Sequence, residues 1–228
     1  MRINATMERR ILVNYRVDPE VLAAILPPPF RPAVVHDYGL AGICLIRLAG
    51  VRPAGLPPAL GVTTENAAHR IAVEWDTDDG PATGVYIPRR DTSSRLAVLL
   101  GGRAFPGWHR RARFVVDEGH GSYRIRFSNR EVDVRVTAHR ADSVMTGSVF
   151  RSLDEASAFF RCASLGYAAT PAPGVYDGVE LATDTWGMEP LHLDEVHSTL
   201  FDFEPDSAFL MVGIDTTWTP LPDLVAAP

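Results

Sequence analysis

The sequence predicts an α+β fold dominated by a large, mostly antiparallel and barrel-like β-sheet. Strand-like stretches outnumber helical ones. Three consecutive strands, 108–116, 122–128 and 131–138, are joined by "DEGHG" and "SNRE", which carry hairpin chemistry. Only two or three segments show helix signals, and that mixture indicates α+β rather than an all-helical or doubly wound fold.

The elements follow in order. "RRILVNYRV" (9–17) is β-like. "DPEVLAAIL" (18–26) is a short helix, with Asp18 as N-cap, Pro19 at the first helical position and Pro27 as the stop. "AGICLIRLAGV" (41–51) is a largely buried strand, and "HRIAVEW" (69–75) alternates strictly. "VYIPRRDTSSRL" (85–96) reads as a solvated loop entering a helix, and "TSSRLAVLLGG" (92–102) as that helix, ending on glycine. "SLDEASAFFRCASLGY" (152–167) is a helix opened by a Ser152–Glu155 capping box. Residues 178–218 are mostly short strands, and 219–228 form a Pro-rich tail. The Pro/Gly-rich breaks are too short for domain linkers, so a single domain over 1–228 is expected.

Composition excludes several function classes. A net charge of −6 argues against a general nucleic-acid binder, which would present a basic face. No apolar run approaches the ~18 residues of a membrane span, and the N-terminus lacks a signal-like core. A soluble cytoplasmic protein with no membrane partner is therefore expected. Cys44 and Cys162 lack CxxC spacing and read as small buried hydrophobes. All 22 basic residues are arginine, so chemistry that needs a lysine ε-amine is excluded. No GxGxxG, P-loop or GxSxG occurs, and Ser93 and Ser94 carry no triad signal. Glu189, His192, Glu195 and His197 match no standard metal spacing. No metal and no cofactor are expected.

Side-chain parity points to one group of residues. On 108–116 the apolar parity holds Trp108, Ala112, Phe114 and Val116, and also Arg110. Arg111 and Arg113 fall on the solvent side. A guanidinium turned inward needs an anion or water-filled room, because burying it unpaired costs several kcal/mol. Upstream, Ala67, Ile71, Val73 and Trp75 share a parity with Glu65 and His69. One carboxylate, one imidazole and one guanidinium would then meet on an interior face. The arrangement serves either as a structural Arg110–Glu65 ion pair with His69 as a core residue, or as a functional site. Arg89, in the arginine-rich run 89–95, belongs either to a solvated loop or to an anion-attracting rim.

Three stretches also carry a family resemblance. "YRVDPEVLAAILPPPF" (15–30), "TTENAAHRIAVEW" (63–75) and "GGRAFPGWHRRARF" (101–114) resemble the acetoacetate decarboxylase-like superfamily, and within it the DUF2071 (YqjF-like) group. The resemblance implies a closed β-barrel or cone with an interior pocket and a few peripheral helices, often in homo-oligomers. It matches Glu65 to the family's pocket glutamate, and Gly102–Arg103 to a Gly-Arg pair. Arg110 and Arg111 fall where the family has two lysines, the first of which forms an imine with a keto acid. Arginine stays protonated and cannot do so, so imine-forming decarboxylation is rejected. A second family carboxylate has no counterpart in 41–51. A pocket arginine before the first strand matches Glu8, with Arg9 and Arg10 beside it.

These readings imply an enzyme acting on a small carboxylate, keto acid or polyketide-like molecule without imine chemistry. Glu65, Arg110 and His69 are the catalytic candidates, and Trp108, Arg89 and Arg103 the substrate-binding ones. The alternatives are a non-catalytic binding protein using the same pocket, and a structural role for the charged pair.

Overall fold

The computed structural model of the chain describes residues 1–101 and 107–226, the side chain of Leu100 excepted. β1 (Ile3–Val17) leads into α1 (Pro19–Ile25), where the Asp18 carboxylate accepts from the Glu20 N–H at 2.8 Å. Pro19 suits the first turn because it has no N–H to leave unsatisfied. The short bridges β2 (Arg31–Pro32) and β3 (Val34–Val35) precede the long strands β4 (Tyr38–Pro53) and β5 (Val62–Thr77). β6 (Gly80–Thr92) returns along β5, and α2 (Arg95–Leu100) follows. Next come β7 (Arg110–Arg111), β8 (Arg113–Gly119), β9 (Ser122–Ser128) and β10 (Asp133–Arg140). After α3 (Leu153–Cys162) the chain forms β11 (Leu165–Ala169), β12 (Val175–Thr183) and β13 (Glu189–Ser198). It finishes with β14 (Glu204–Met211), β15 (Ile214–Pro220) and β16 (Leu224–Val225).

The ring β1-β4-β5-β6-β11-β12-β15 closes back on β1 as a seven-strand barrel. Its pairings are antiparallel except β6 with β11. β1 is long enough to serve two partners along one edge. Ile3–Met7 pairs with β15, whereas Arg10–Arg16 pairs with β14. From β14 the sheet continues through β13, β10, β9 and β8, so the wall β1-β4-β5-β6 is covered on both faces. One face buries Ile11, Val13, Ile43, Ile71 and Val73 with Phe127 and Val136. The other buries Leu12, Cys44 and Ala72 with Phe160 of α3. Apolar residues of both parities in these strands are the consequence.

Four sequence expectations change. Residues 85–92 are strand, not solvated loop: the guanidinium of Arg89 is held by the Asp91 carboxylate at 2.7 and 2.9 Å, which lets it be buried. α3 stops at Cys162, and Leu165–Ala169 instead takes strand pairings with β12 and β6. Leu224–Val225, in the expected tail, pairs with Val175 and Tyr176. The expected strand 108–116 is broken. Arg110–Arg111 bridges β6 in parallel, and a separate strand beginning at Arg113 pairs with β9.

Candidate functional site

A cavity of about 200 Å³ lies inside the seven-strand barrel, and all seven strands contribute to its wall. Most of the wall is apolar, including Ile46, Leu48, Val62, Val85, Ile87 and Val179. Ser94, Leu96 and Ala97 from the α2 segment border it, as do Ala163 and Ser164 beyond α3.

Arginines stand in this apolar wall. β1 shifts register between Met7 and Arg9 and alternates regularly from Arg9 on, so Arg9 and Arg10 turn to opposite faces and Arg10 enters the cavity lining. Arg10 donates Nη2 to Cys44 Sγ at 3.7 Å and Nη1 to Met211 Sδ at 3.9 Å, and its Nε is buried with no hydrogen-bond partner. Arg70, 3% exposed, donates Nε to Cys44 Sγ at 3.2 Å and Nη2 to Asn14 Oδ1 at 2.5 Å. Its guanidinium carbon lies 5.0 Å from the centre of the Phe160 ring. Gly42 on β4 leaves it room. A Cβ there would sit 3.2 Å from Arg70 Nη2 and 2.6 Å from the Val13 carbonyl oxygen. Neither Arg10 nor Arg70 pairs with a carboxylate among the described residues.

Burial shapes the ionisation of this site. It lowers the Arg70 guanidinium, and it pushes Arg90, also on the wall, down to about 10 against the pull of Asp177. Burial and then Arg90 push His109 down to about 4, against the hydrogen bond to Gly107, so this wall imidazole is neutral at pH 7. Burial alone would raise the Cys44 thiol. Arg10 and Arg70 together outweigh it and hold the thiol below its ordinary range.

The residues singled out by parity lie elsewhere. Glu65 and His69 do share a face, but it is the face turned away from the cavity. The Glu65 carboxylate meets Arg9 Nη2 at 2.5 Å and Arg47 Nη1 at 3.4 Å, and Arg9 also bonds Glu118 at 2.8 Å. Burial raises the Glu65 carboxyl, with the Arg9 and Arg47 charges opposing. His69 is fully buried, 3.2 Å from Ser198 Oγ and packed edge-on against Phe201. Burial and then Arg89 bring it down to about 3. Arg110 does not join them. Its side chain is 51% exposed, with Nε 3.1 Å from Glu131, so the expected Arg110–Glu65 pairing is corrected to Arg9–Glu65. The cause is the broken strand, which ends the alternation before it reaches Arg110. Trp108 is exposed and, with Arg89 and Arg110, borders a surface groove beside Ala168–Pro171. Arg89 is buried and paired with Asp91 and Glu131. Arg103 lies outside the described residues.

Comparison with known proteins places this architecture. The model of the DUF2071 family, described as an uncharacterized conserved protein, matches residues 4–204. The chain belongs to the DUF2071 family. Acetoacetate decarboxylase from Legionella pneumophila superposes with a TM-score of 0.64 at 14% identity, covering 100% of this chain and 88% of that one. An acetoacetate decarboxylase-like enzyme from Sphingomonas wittichii RW1 gives a TM-score of 0.60 at 12% identity, with coverage of 99% and 93%. The enduracididine biosynthesis enzyme MppR, complexed with pyruvate, gives 0.55 at 13% identity, with coverage of 99% and 90%. No curated protein matches the sequence. The DUF2071 chain thus has the acetoacetate decarboxylase-like fold.

Within this DUF2071 protein the cavity residues that parity missed are Arg10, Arg70, Arg90, Cys44 and His109. Arg70 was findable. It lies between Ala68 and Ala72, the second apolar parity of a strand whose first parity is apolar too. The middle of β5 is buried on both faces, so Arg70 lies inside, whereas farther along Glu74 is only half-buried and Asp76 is exposed. Arg10 was findable on the same ground, since it shares its parity with Leu12 while Ile11 and Val13 make the other parity of 9–17 apolar too. At the family's lysine position, the gap-free match falls on Arg110, yet it is His109 that reaches the cavity wall. Among the described residues no group of His, Cys, Asp and Glu could hold a metal ion, and no helix is long and apolar enough to cross a membrane.

Proposed function

We propose that this protein binds a small carboxylic acid with an apolar body, a keto acid above all, in the barrel cavity and acts on it without forming an imine. The observation that carries this reading is the pair Arg10 and Arg70, whose side-chain partners are a thiol, a thioether and an amide rather than a carboxylate. A buried cation without an anion is costly, and a ligand carboxylate removes that cost through charge-assisted hydrogen bonds. The apolar remainder of the wall suits a hydrocarbon body. Pyruvate bound to MppR, a protein of this fold, supports the keto acid class. With the carboxylate anchored, a guanidinium beside the neighbouring carbonyl would also stabilise oxyanion character there. His109, neutral at pH 7, adds no charge to this wall and is a weak base there.

The locking of Glu65 onto Arg9 and Arg47 favours a second reading, ligand binding without turnover, since the expected proton carrier is engaged outside the cavity. Thermal-shift titration with keto and aromatic acids beside their amides tests the cavity reading. The acids raise the melting temperature, the amides do not, and Arg10→Met abolishes the difference. Equal stabilisation by the neutral amides would overturn it. Consumption of a stabilising acid, followed by NMR, separates an enzyme from a binding protein.

A further inference from the structure

We infer that Cys44 is a covalent site of the cavity, at which its sulfur adds to the carbonyl carbon of a bound keto acid. The inference rests on the reading of the cavity as a carboxylate site and extends it to a reacting atom. Cys44 is one of two cysteines, and unlike the exposed Cys162 it stands in the wall of the barrel cavity. Two guanidiniums converge on its sulfur, Arg70 Nε at 3.2 Å and Arg10 Nη2 at 3.7 Å. These are the charged groups that face it, Arg10 from β1 and Arg70 from β5. β14 contributes the neutral thioether of Met211 and α3 the ring of Phe160.

A thiol needs no such neighbours, because two cations beside a neutral sulfur leave both uncompensated. A thiolate compensates one of them, and thiolate is the nucleophilic form. Of the Arg10–Arg70 pair one positive charge remains, which a ligand carboxylate can balance. The buried, unpartnered Nε of Arg10 is a donor left open in the same wall. Burial pushes the thiol up and the two arginines pull it down, and the net direction is below its ordinary value.

The step balances without a co-reactant. The Cys44 thiolate attacks the carbonyl carbon, an S–C bond forms, and the C=O π pair moves onto oxygen. The resulting alkoxide takes a proton from solvent water, giving a thiohemiketal and a hydroxide that passes to solvent. Reversal returns the thiolate and the keto acid.

The test uses the Cys162→Ser variant of this chain, in which Cys44 is the remaining cysteine. Alkylation by anionic iodoacetate and by neutral iodoacetamide is followed by intact mass across pH. The expected result is a preference for iodoacetate of about tenfold or more, from the cationic cavity, with a reaction pKa below the ordinary thiol value of about 8.5. Adding Arg10→Met shrinks the preference. Failure to label Cys44 in the folded protein, or faster labelling by iodoacetamide, would overturn the inference.

The second measurement uses 4-methyl-2-oxopentanoate labelled with carbon-13 at its ketone. Its signal moves from the ketone to the tetrahedral-carbon region with the Cys162→Ser protein, and stays a ketone once Cys44→Ser is added. If this acid stabilises the protein thermally while its bound signal remains a ketone, the carboxylate reading stands and the covalent site falls. If no acid stabilises the protein, both fall.

Discussion

Two pairs of adjacent arginines show how a single position decides a side chain's task. Arg9 and Arg10 are neighbours, yet Arg9 is 3% exposed and bound to Glu65 and Glu118, while Arg10 faces the cavity with no carboxylate. Glu65→Gln removes the charge that compensates Arg9 on one side and should cost about 2–3 kcal/mol, toward the lower end for a broken buried pair because Glu118 remains. Because Glu65 is outside the cavity lining, thermal-shift binding of acids should survive that substitution. Loss of binding with intact stability would assign Glu65 to the site after all. Arg110→Met should change stability by less than about 1 kcal/mol, since the Glu131 pair is exposed, and should leave acid binding unaltered. The sequence contains the idea that adjacent arginines split between two faces, but alternation assigns it to Arg110 and Arg111. It belongs to Arg9 and Arg10, because the break at Ala112, which takes Arg110 off the inward face, is invisible in residue type.

At the scale of elements, what was legible is what local chemistry marks. Asp18 and Ser152 cap their helices as their positions indicate, with bonds of 2.8 and 3.1 Å, and 122–128 matches β9 to the residue. The capping box departs in one detail, since the Glu155 carboxylate takes the Arg151 N–H at 2.7 Å. Ser152→Ala should cost about 1 kcal/mol in urea unfolding. What was not legible depends on partners distant in sequence. β6 looks like a loop until Asp91 is seen to neutralise Arg89, and β11 looks helical until β12 and β6 offer it an edge. α3 also reaches the site, through the Phe160 ring under Arg70. Phe160→Leu should cost less than about 1.5 kcal/mol where packing volume is nearly kept, yet weaken acid binding by loosening Arg70. Equal effects on stability and binding would show that the ring only packs. Gly42→Ala is a harsher change from the other side, because its Cβ would sit 2.6 Å from the Val13 carbonyl oxygen and 3.2 Å from Arg70 Nη2, so it should lower stability as well as acid binding.

For the whole molecule, the forked β1 means one four-strand wall serves two interiors, a filled core on one face and the cavity on the other. Each interior holds a histidine kept neutral by burial, His69 in the core at about 3 and His109 at the cavity at about 4, both down from 6.5. The sign of the pH dependence follows. Above pH 6.5 neither histidine is protonated in the folded or the unfolded chain, and neither affects the balance. As pH falls below 6.5 the unfolded chain takes up protons that the folded chain refuses, so stability falls. For each histidine the slope is about 1.4 kcal/mol per pH unit, and it ends as the folded values near 4 and 3 are reached. Urea midpoints measured from neutral pH downward should therefore decline in the range where most carboxylates still hold their charge. His69→Leu should remove about half of that slope, at some cost from losing the Ser198 bond. An unchanged slope would mean that His69 is already protonated in the fold, with Ser198 and an unseen anion satisfying it. Occupation of the cavity by an acid should leave the His69 contribution alone, because the wall of β5 stands between the two.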